Sequence, residues 1–367
     1  MSIHLSRWNL LNTSFLVGTL LLAVVLVPLQ IIHTQHLIFE LSICLVMFLA
    51  TGTAVTAGYH RLFSHRTYVA AWPLRLALLC LGAAAFENSA LAWSSDHRVH
   101  HRKVDSEEDP YAITKGFWYA HWIWVMESTN HPLQGVDDLQ KDPLVRWQHR
   151  HYFLIGAVVA LIPVALGWAV HDLWGAIVMG LLLRIVLTHH TTFLINSAAH
   201  VFGTRPFTDA NTARDNPWLA PLSFGEGFHN FHHMWPADYR NGVRWYQWDS
   251  TKWALNAFGW LGLASKFKRT PEMTIRRARL RMEAKTLKAK LDQALPRHSE
   301  ALVIVSRLTA AHERLDCAMA RFHEQRAAWK HRTADWKIAM HQRRAELHAA
   351  WREWKATRMA VRGMAAA

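Results

Sequence analysis

The sequence predicts an all-α integral membrane protein, and three observations carry the prediction. Apolar residues make up 51% of the 367-residue chain and are gathered into a few long runs. Tryptophan occurs 19 times, a usage that suits the two interfaces of a bilayer. The charge is also segregated: residues 261 to 367 hold 24 Lys+Arg against 10 Asp+Glu, which is the whole net charge of +14, while residues 1 to 260 hold 17 of each.

The first run, residues 10–32, is almost uncharged and rich in Leu and Val. At about 1.5 Å per residue it is long enough for a hydrocarbon core of roughly 30 Å. With no small-residue cleavage site behind it, this run reads as a span and not as a signal peptide. Pro28 and the polar His33, Thr34, Gln35 and His36 predict a tight turn before a second span over 37–58, which has Glu40 near its start and Thr51, Thr53 and Thr56 near its end. Residues 72–92 are apolar on average but carry Arg75, Glu87, Asn88 and Ser89, which are costly in lipid, so this segment is expected in the interface. Two more spans are expected at 152–170 and 174–195. The second contains Arg184 and ends on His189 and His190, so that end must face protein or water.

Parity then sets the topology. With two spans before His60 and two between His151 and His200, every histidine cluster falls on one side, provided 72–92 does not cross. That side shares its face with the basic tail, and Lys/Arg excess marks the cytoplasmic side, so both termini and the chemistry are placed in the cytosol. Three scattered cysteines, Cys44, Cys80 and Cys317, form neither a CxxC pair nor a disulfide framework, in keeping with a cytosolic polar face.

The chemistry rests on nitrogen ligands. His60 and His65 bracket HRLFSH; His97, His100 and His101 sit in HRVHH; His229, His232 and His233 sit in HNFHH. On a helix, each HxxHH set fans over about 100° of one face, and adjacent histidines diverge by about 100°, enough to serve two different metals. His60 and His65 stand about 140° apart on an ideal helix and share a metal only where its end unwinds or bends. Imidazole suits iron, zinc, copper or nickel, and eight such groups are too many for one ion. One histidine alone is more often a surface or packing residue than a ligand. Two HxxHH sets and an HxxxxH on one side of four spans point to a two-metal site.

The order HRLFSH, HRVHH, NSAAH and HNFHH resembles that of the membrane fatty-acyl desaturases, most closely the stearoyl-CoA (acyl-CoA) Δ9 desaturase type. The resemblance covers residues 10–255 and extends to the DPY of Asp109–Tyr111, GFWYAH from Gly116 to His121, GTRPFTD from Gly203 to Asp209, and GEGFHN. It implies four transmembrane helices with a cytosolic helical cap holding a di-metal centre. It also implies an oxidoreductase that uses two iron ions, O2 and two electrons to place a cis double bond, at Δ9, in a long saturated acyl chain. Zinc is a possible substitute for iron in overproduced protein. Carried over by motif, His200 joins the eight histidines, Asn196 reaches metal through a water, and no catalytic residue is expected beyond the metal ligands. By the same resemblance one iron takes His60, His65, His97, His101 and His233, and the other His100, His200, His229 and His232. Glu87, Asn88, Trp93 and Thr188 match positions lining the bend of the acyl tunnel, although the pattern usually has Gln where this chain has Glu87.

Asp96 is retained as a substrate-side residue, but the Arg that usually precedes it, contacting the CoA head, is Ser95 here. Acyl-CoA is therefore the favoured substrate, with acyl-carrier protein or a glycerolipid as the other carriers. No GxSxG, Walker or GxGxxG motif and no fused HPGG segment is visible, so electrons should come from a separate carrier, a ferredoxin or b5-type protein with its reductase. His189 and His190 match no ligand position and read as lining or packing groups, and His121, His149 and His151 as interfacial or structural ones.

The tail supplies the last element. Residues 1–262 form the membrane domain and 263–367 a basic helical tail, expected as two helical stretches broken at Pro296–Ser299. Leu280, Leu287 and Ala294, then Leu308, Leu315, Phe322, Trp329 and Trp336, recur every seven residues, and Met340, Leu347 and Trp354 follow in a shifted register. This is a coiled-coil-like C-terminal helical extension, suited to an antiparallel hairpin or a homo-oligomer. Its charge suits anionic membrane lipid or an acidic electron carrier; nucleic acid is not expected at a membrane tether. The location is an integral membrane, a bacterial inner membrane or an ER-like one. The two competing functions are a related di-iron lipid or alkane hydroxylase, and a non-catalytic membrane scaffold with structural metal and a partner-binding tail.

Overall fold

A computed structural model describes residues 8–127, 132–294, 301–328 and 334–364. Among the described residues, four helices are long and apolar enough to cross a membrane: Leu10–His33, Leu37–Ser64, Tyr152–Ala169 and Leu173–Val201. With the desaturase-like histidine pattern they make this an integral membrane protein of the expected all-α class.

The first span is α1 (Leu10–His33), whose N-cap Asn9 accepts the backbone N–H of Asn12. The second begins as α2 (Leu37–Thr53) and continues as a π-helix over Ala54–Ser64, every residue of which is buried. Its close packing shows at Gly52, where a Cβ would sit 2.2 Å from the Phe224 ring.

The chain then leaves the spans. Strand β1 (Val69–Ala70) leads into α3 (Trp72–Ala83), whose twelve residues rise only about 18 Å and are too short to cross. Helix α4 (Ala90–Lys103) starts on Ser89, whose hydroxyl accepts from Ala92 N. Helix α5 (Pro143–Arg150) has Asp142 as its cap and Pro at its first position. The third span is α6 (Tyr152–Ala169). The fourth contains a π-helical stretch, Ala176–Leu183, then α7 (Arg184–Asn196), and after a break at Ser197 the single turn α8 (Ala198–Val201).

Two short helices close this unit, α9 (His229–Met234) and α10 (Ser250–Trp260). Strand β2 (Ala264–Ser265) then returns antiparallel to β1, with Val69 opposite Ser265. Lys268 N donates to Thr67 O and Tyr239 N to Lys268 O. The first compact unit therefore runs to Arg269, past the boundary drawn at 262, because this return strand is paired into it.

The second unit comprises Arg205–Asp209 and Thr270–Ala367. Its helices are α11 (Glu272–Ala294), α12 (Ala301–Ala327) and α13 (Ala334–Met364). They share one apolar core, in which Leu280, Leu287, Leu308, Leu315, Met319, Trp354 and Val361 are buried. Burial of each such side chain contributes about 1.5–3 kcal/mol. Arg277 clamps Asp316 with two bonds of 2.6 and 2.7 Å, and Arg358 meets Glu283 at 3.1 Å, which ties α11 to each of the other two helices.

Leu280, Leu287, Leu308, Leu315, Leu347 and Trp354 of the seven-residue pattern lie in or against this core, and α12 and α13 are two helices where one was expected. No Gly or Pro lies between Ala327 and Ala334 in the sequence. The Pro296–Ser299 break, Trp329 and the Ala294 side chain lie outside the described residues.

Candidate metal centre

The second span delivers the first two histidines. An i to i+5 ladder replaces the α pattern at its end, with His65 N donating to His60 O at 3.1 Å. The wider turn brings residues five apart onto one face, and the two rings stand 4.8 Å apart in an edge-to-face pair. This is the bend that the HxxxxH spacing required. Arg98 seals the end, bonding the carbonyls of Phe63 and Ser64 at 2.6 and 2.9 Å and the Asp138 carboxylate at 2.7 Å.

Helix α4 brings His97, His100 and His101, α8 brings His200, and α9 brings His229, His232 and His233. Their ring nitrogens collect into two groups, each with all its ligand atoms within 4.8 Å of one another: His60, His65, His97, His101 and His232, and His100, His200, His229 and His233. His232 therefore joins the five-histidine group and His233 the four-histidine group, which corrects the division drawn by analogy. The reason is helical: residues four apart share a face, so His97 goes with His101 and His229 with His233, while His100 and His232 point the other way.

Within each group the approach is through Nε2. The separations are 2.7 Å for His65 and His97, 3.0 Å for His60 and His232, and 2.9 Å for His101 and His232. In the other group they are 3.1 Å for His200 and His229, 3.0 Å for His229 and His233, and 3.3 Å for His100 and His233. Two ligand atoms at right angles around one centre, with bonds of about 2.1 Å, lie about 3.0 Å apart.

The outer nitrogens explain why these close approaches are lone-pair encounters. His60 Nδ1 lies 3.0 Å from Glu226 Oε2 and His100 Nδ1 2.9 Å from Asp109 Oδ1, an arrangement that turns each Nε2 toward the other rings of its group. His97 Nδ1 meets the Tyr111 hydroxyl at 3.2 Å, and His200 Nδ1 meets Thr212 Oγ1 at 2.7 Å, whose hydroxyl donates to Asp105 at 2.6 Å. His65, His97, His101, His229, His232 and His233 are all held well below the usual histidine range, by burial first and by one another's rings second. Neutral imidazoles with converging lone pairs repel unless a cation lies between them, so the donor set fits a di-metal centre.

A buried ionic network backs the five-histidine group. Arg61 bonds Glu226 at 2.9 Å, Asp249 at 3.0 Å and the Tyr239 carbonyl at 2.7 Å. Burial pushes the Glu226 carboxyl up, but His60 and Arg61 outweigh it and hold it at about 2. Asp249 also caps α10 by accepting from Lys252 N, so the network ties the second span to the chain's return segment.

A cavity of about 640 Å³ opens from the metal ligands, in the size range of pockets for extended small ligands. His60 and His97 from one group and His100 and His229 from the other line it, with Asn196 beside them. Its apolar walls include Leu11, Phe15 and Leu16 of the first span, Val55 of the second, and Phe193 and Ile195 of the fourth. Glu87, Asn88, Trp93 and Asp96 also line it, and Trp93 stacks on His97 at 4.8 Å. Thr188 does not: its buried hydroxyl donates to Arg184 O and lies 3.4 Å from the Thr51 hydroxyl. The lining residue is Thr192, one helical turn further on, whose hydroxyl donates to Glu87 Oε1 at 2.8 Å.

The turn that carries Glu87 is strained, with φ of 57° at Phe86 and 80° at Asn88. It is held from the third and fourth spans. Arg184 Nη1 donates to Ala84 O, His189 Nε2 to Ala85 O, and Asn88 N donates to the Tyr152 hydroxyl at 3.1 Å. His189 also lines the cavity, while His190 and His121 pair at 3.0 Å and His149 meets the Ser89 hydroxyl; none of the four joins a metal group. Ser95 faces the backbone of Gln134, accepting its N–H at 2.8 Å.

Sequence reasoning missed the roles of Glu226, Asp109, Tyr111, Asp105 and Thr212. The first three lie in the GEGFHN and DPY stretches, which marked them without saying what they touch. Asp105 and Thr212 carried no signal.

The Fatty acid desaturase family model matches residues 40–263. A probable acyl-CoA desaturase of Schizosaccharomyces pombe is 40% identical over 296 residues, covering 78% of this chain and 61% of the relative. Acyl-CoA desaturase 1 of Saccharomyces cerevisiae is 41% identical over 244 residues, covering 65% and 48%. Stearoyl-CoA desaturase 5 of Bos taurus is 36% identical over 237 residues, covering 62% and 71%. The chain thus spans about half to six-tenths of the two fungal relatives.

Proposed function

The chain belongs to the fatty acid desaturase family, and on that premise we propose that it is an O2-dependent acyl desaturase that introduces a cis double bond, at Δ9, into a long saturated acyl-CoA. One observation carries the reading: an apolar cavity ends on histidines of both metal groups. A saturated chain offers no leaving group, acid or electrophile, so the C–H chemistry has to come from the metal pair. Two iron ions held by the nine histidines would supply it, with Asn196 reaching the four-histidine ion through a water.

The balance is fixed by the product. Two hydrogens leave the chain, and with O2, two further electrons and two protons they give the double bond and two waters. The electrons come from a separate ferredoxin or b5-type carrier and its reductase. The protein's own residues orient the reaction. Trp93, packed on His97, and the Glu87–Asn88 turn shape the path of the chain, with Asp96 on its wall and Thr192 taking the place first assigned to Thr188. Burial of the alkyl chain along Leu11, Phe15 and Phe193 supplies affinity and excludes water from the metals.

The parity of four spans supports one side for the metal groups and both termini, and the Lys/Arg excess of the tail supports the cytosol as that side. The relative named as a stearoyl-CoA desaturase supports acyl-CoA as the carrier. The basic tail serves as a contact for membrane lipid, an acidic carrier or a second copy of the chain.

The test is expression in cells that lack their own desaturase, followed by analysis of their lipids. New Δ9 monounsaturated chains are expected, and none with His232→Ala. A hydroxylated chain, or unchanged lipids with folded and iron-loaded protein, would discard the reading.

A further inference from the structure

Glu87 puts a carboxyl group into the wall of a cavity that also carries Phe15, Phe86, Phe193 and Tyr152. Its Oε1 accepts from Thr192 at 2.8 Å. The Trp93 indole acts on the same carboxyl, yet Oε2 is buried and completes no hydrogen bond among the described residues.

No side-chain cation among the described residues is paired with it. The second span contributes the Tyr59 phenol and the third the Tyr152 phenol, both near enough to feel the carboxyl. From the fourth, Arg184 is taken by the Ala84 carbonyl and His189 by the Ala85 carbonyl, and α4 adds the acidic Asp96 to the cavity wall. No ion pair joins Glu87 to any described cation.

We propose that Glu87 determines by its charge what the cavity accepts: as a neutral acid it lets a saturated chain lie against it, and as a carboxylate it excludes one. This rests on the acyl reading of the cavity. Sealing a carboxylate under hydrocarbon removes its last access to water and costs several kcal/mol, whereas a neutral acid bonded to a hydroxyl is tolerated. Burial already pushes the carboxyl up to about 8, against the smaller opposing pull of Thr192 and Trp93. Burial thus favours the neutral acid, and binding a chain at a pH where the free group is charged must draw one proton onto Glu87. Affinity should fall about tenfold per pH unit beyond that point.

The experiment uses the full chain, metal-loaded, and the Tm increase produced by stearoyl-CoA at pH 7, 8, 8.5, 9 and 9.5, with metal content measured at each pH. The wild-type protein should lose about tenfold in affinity between pH 8.5 and 9.5, and Glu87→Gln should lose none. Equal behaviour of the two proteins across that range overturns the proposal. If Glu87→Gln does not fold, wild-type calorimetry at pH 9 in buffers of different ionisation enthalpy decides it: uptake of close to one proton per bound chain supports the proposal, and none overturns it. Failure of both proteins to bind stearoyl-CoA even at pH 7 removes the acyl reading of the cavity, and this inference with it.

Discussion

The two histidine groups are assembled from the same α4 and α9 helices, yet they are closed in different ways. The five-histidine group leans on Glu226, which is locked between His60, Arg61 and Asn241 in a fully buried network. The four-histidine group leans on loop residues: Asp109 behind His100, and Thr212 with Asp105 behind His200. It has one imidazole fewer, and the Asn196 amide stands on the adjoining cavity wall. The smaller donor set fits the water-mediated role proposed for Asn196. The two groups would therefore give a metal pair unequal surroundings.

Losing ligands gives the largest effect and breaks the comparison most directly. A double substitution within one group, His101→Ala with His232→Ala, should leave about one metal per chain, because both ligands serve the same ion. His101→Ala with His233→Ala strikes both groups and should leave close to none. Elemental analysis of purified protein reads the difference, and the reverse pattern would restore the division drawn by analogy. Both proteins should be inactive.

Changing the supporting carboxylates gives a smaller effect. Glu226→Gln should weaken metal at the five-histidine group, and Asp109→Asn at the four-histidine group, by about 10–100-fold each. Competition with a graded series of chelators would show this as one weakened site and one unchanged site. If both sites weaken together in either variant, the two cages are one unit.

The smallest effect on the metals should come from the tail. Leu315 is fully buried in the second unit, and Leu315→Ala should destabilise that unit by about 2–5 kcal/mol. Metal content and desaturation are expected to stay at the wild-type level. A fall in metal content would mean that the tail supports the cages.

What the sequence disclosed and what it withheld divide along a physical line. Spans follow from apolar length, and ligands from residue type and spacing, so both were legible. The partner of each histidine depends on angle, and here the helical rule was available but analogy was followed: His229 and His233 are four apart and had to share a face. Thr188 and Thr192 also share a face, and only the position of the Glu87 turn tells which of them reaches the cavity. The His200–Thr212–Asp105 chain joins residues far apart in sequence through loops, where no periodicity operates. The return of β2 onto β1 rests on two residue pairs, too short to leave a pattern.

The way each cage draws its members from distant parts of the chain has a consequence for how the protein is made. The five-histidine group is incomplete until His232 has been synthesised, and the four-histidine group until His233. Both come after the last residue of the fourth span, Val201. A ribosome making this chain therefore threads every span into the bilayer before either cage can close. Until then, six histidines from His60 to His101 and His200 wait as loose ligands on the aqueous side. A metal pair that needs both cages complete can therefore be taken up only after insertion, from the ions present at that moment.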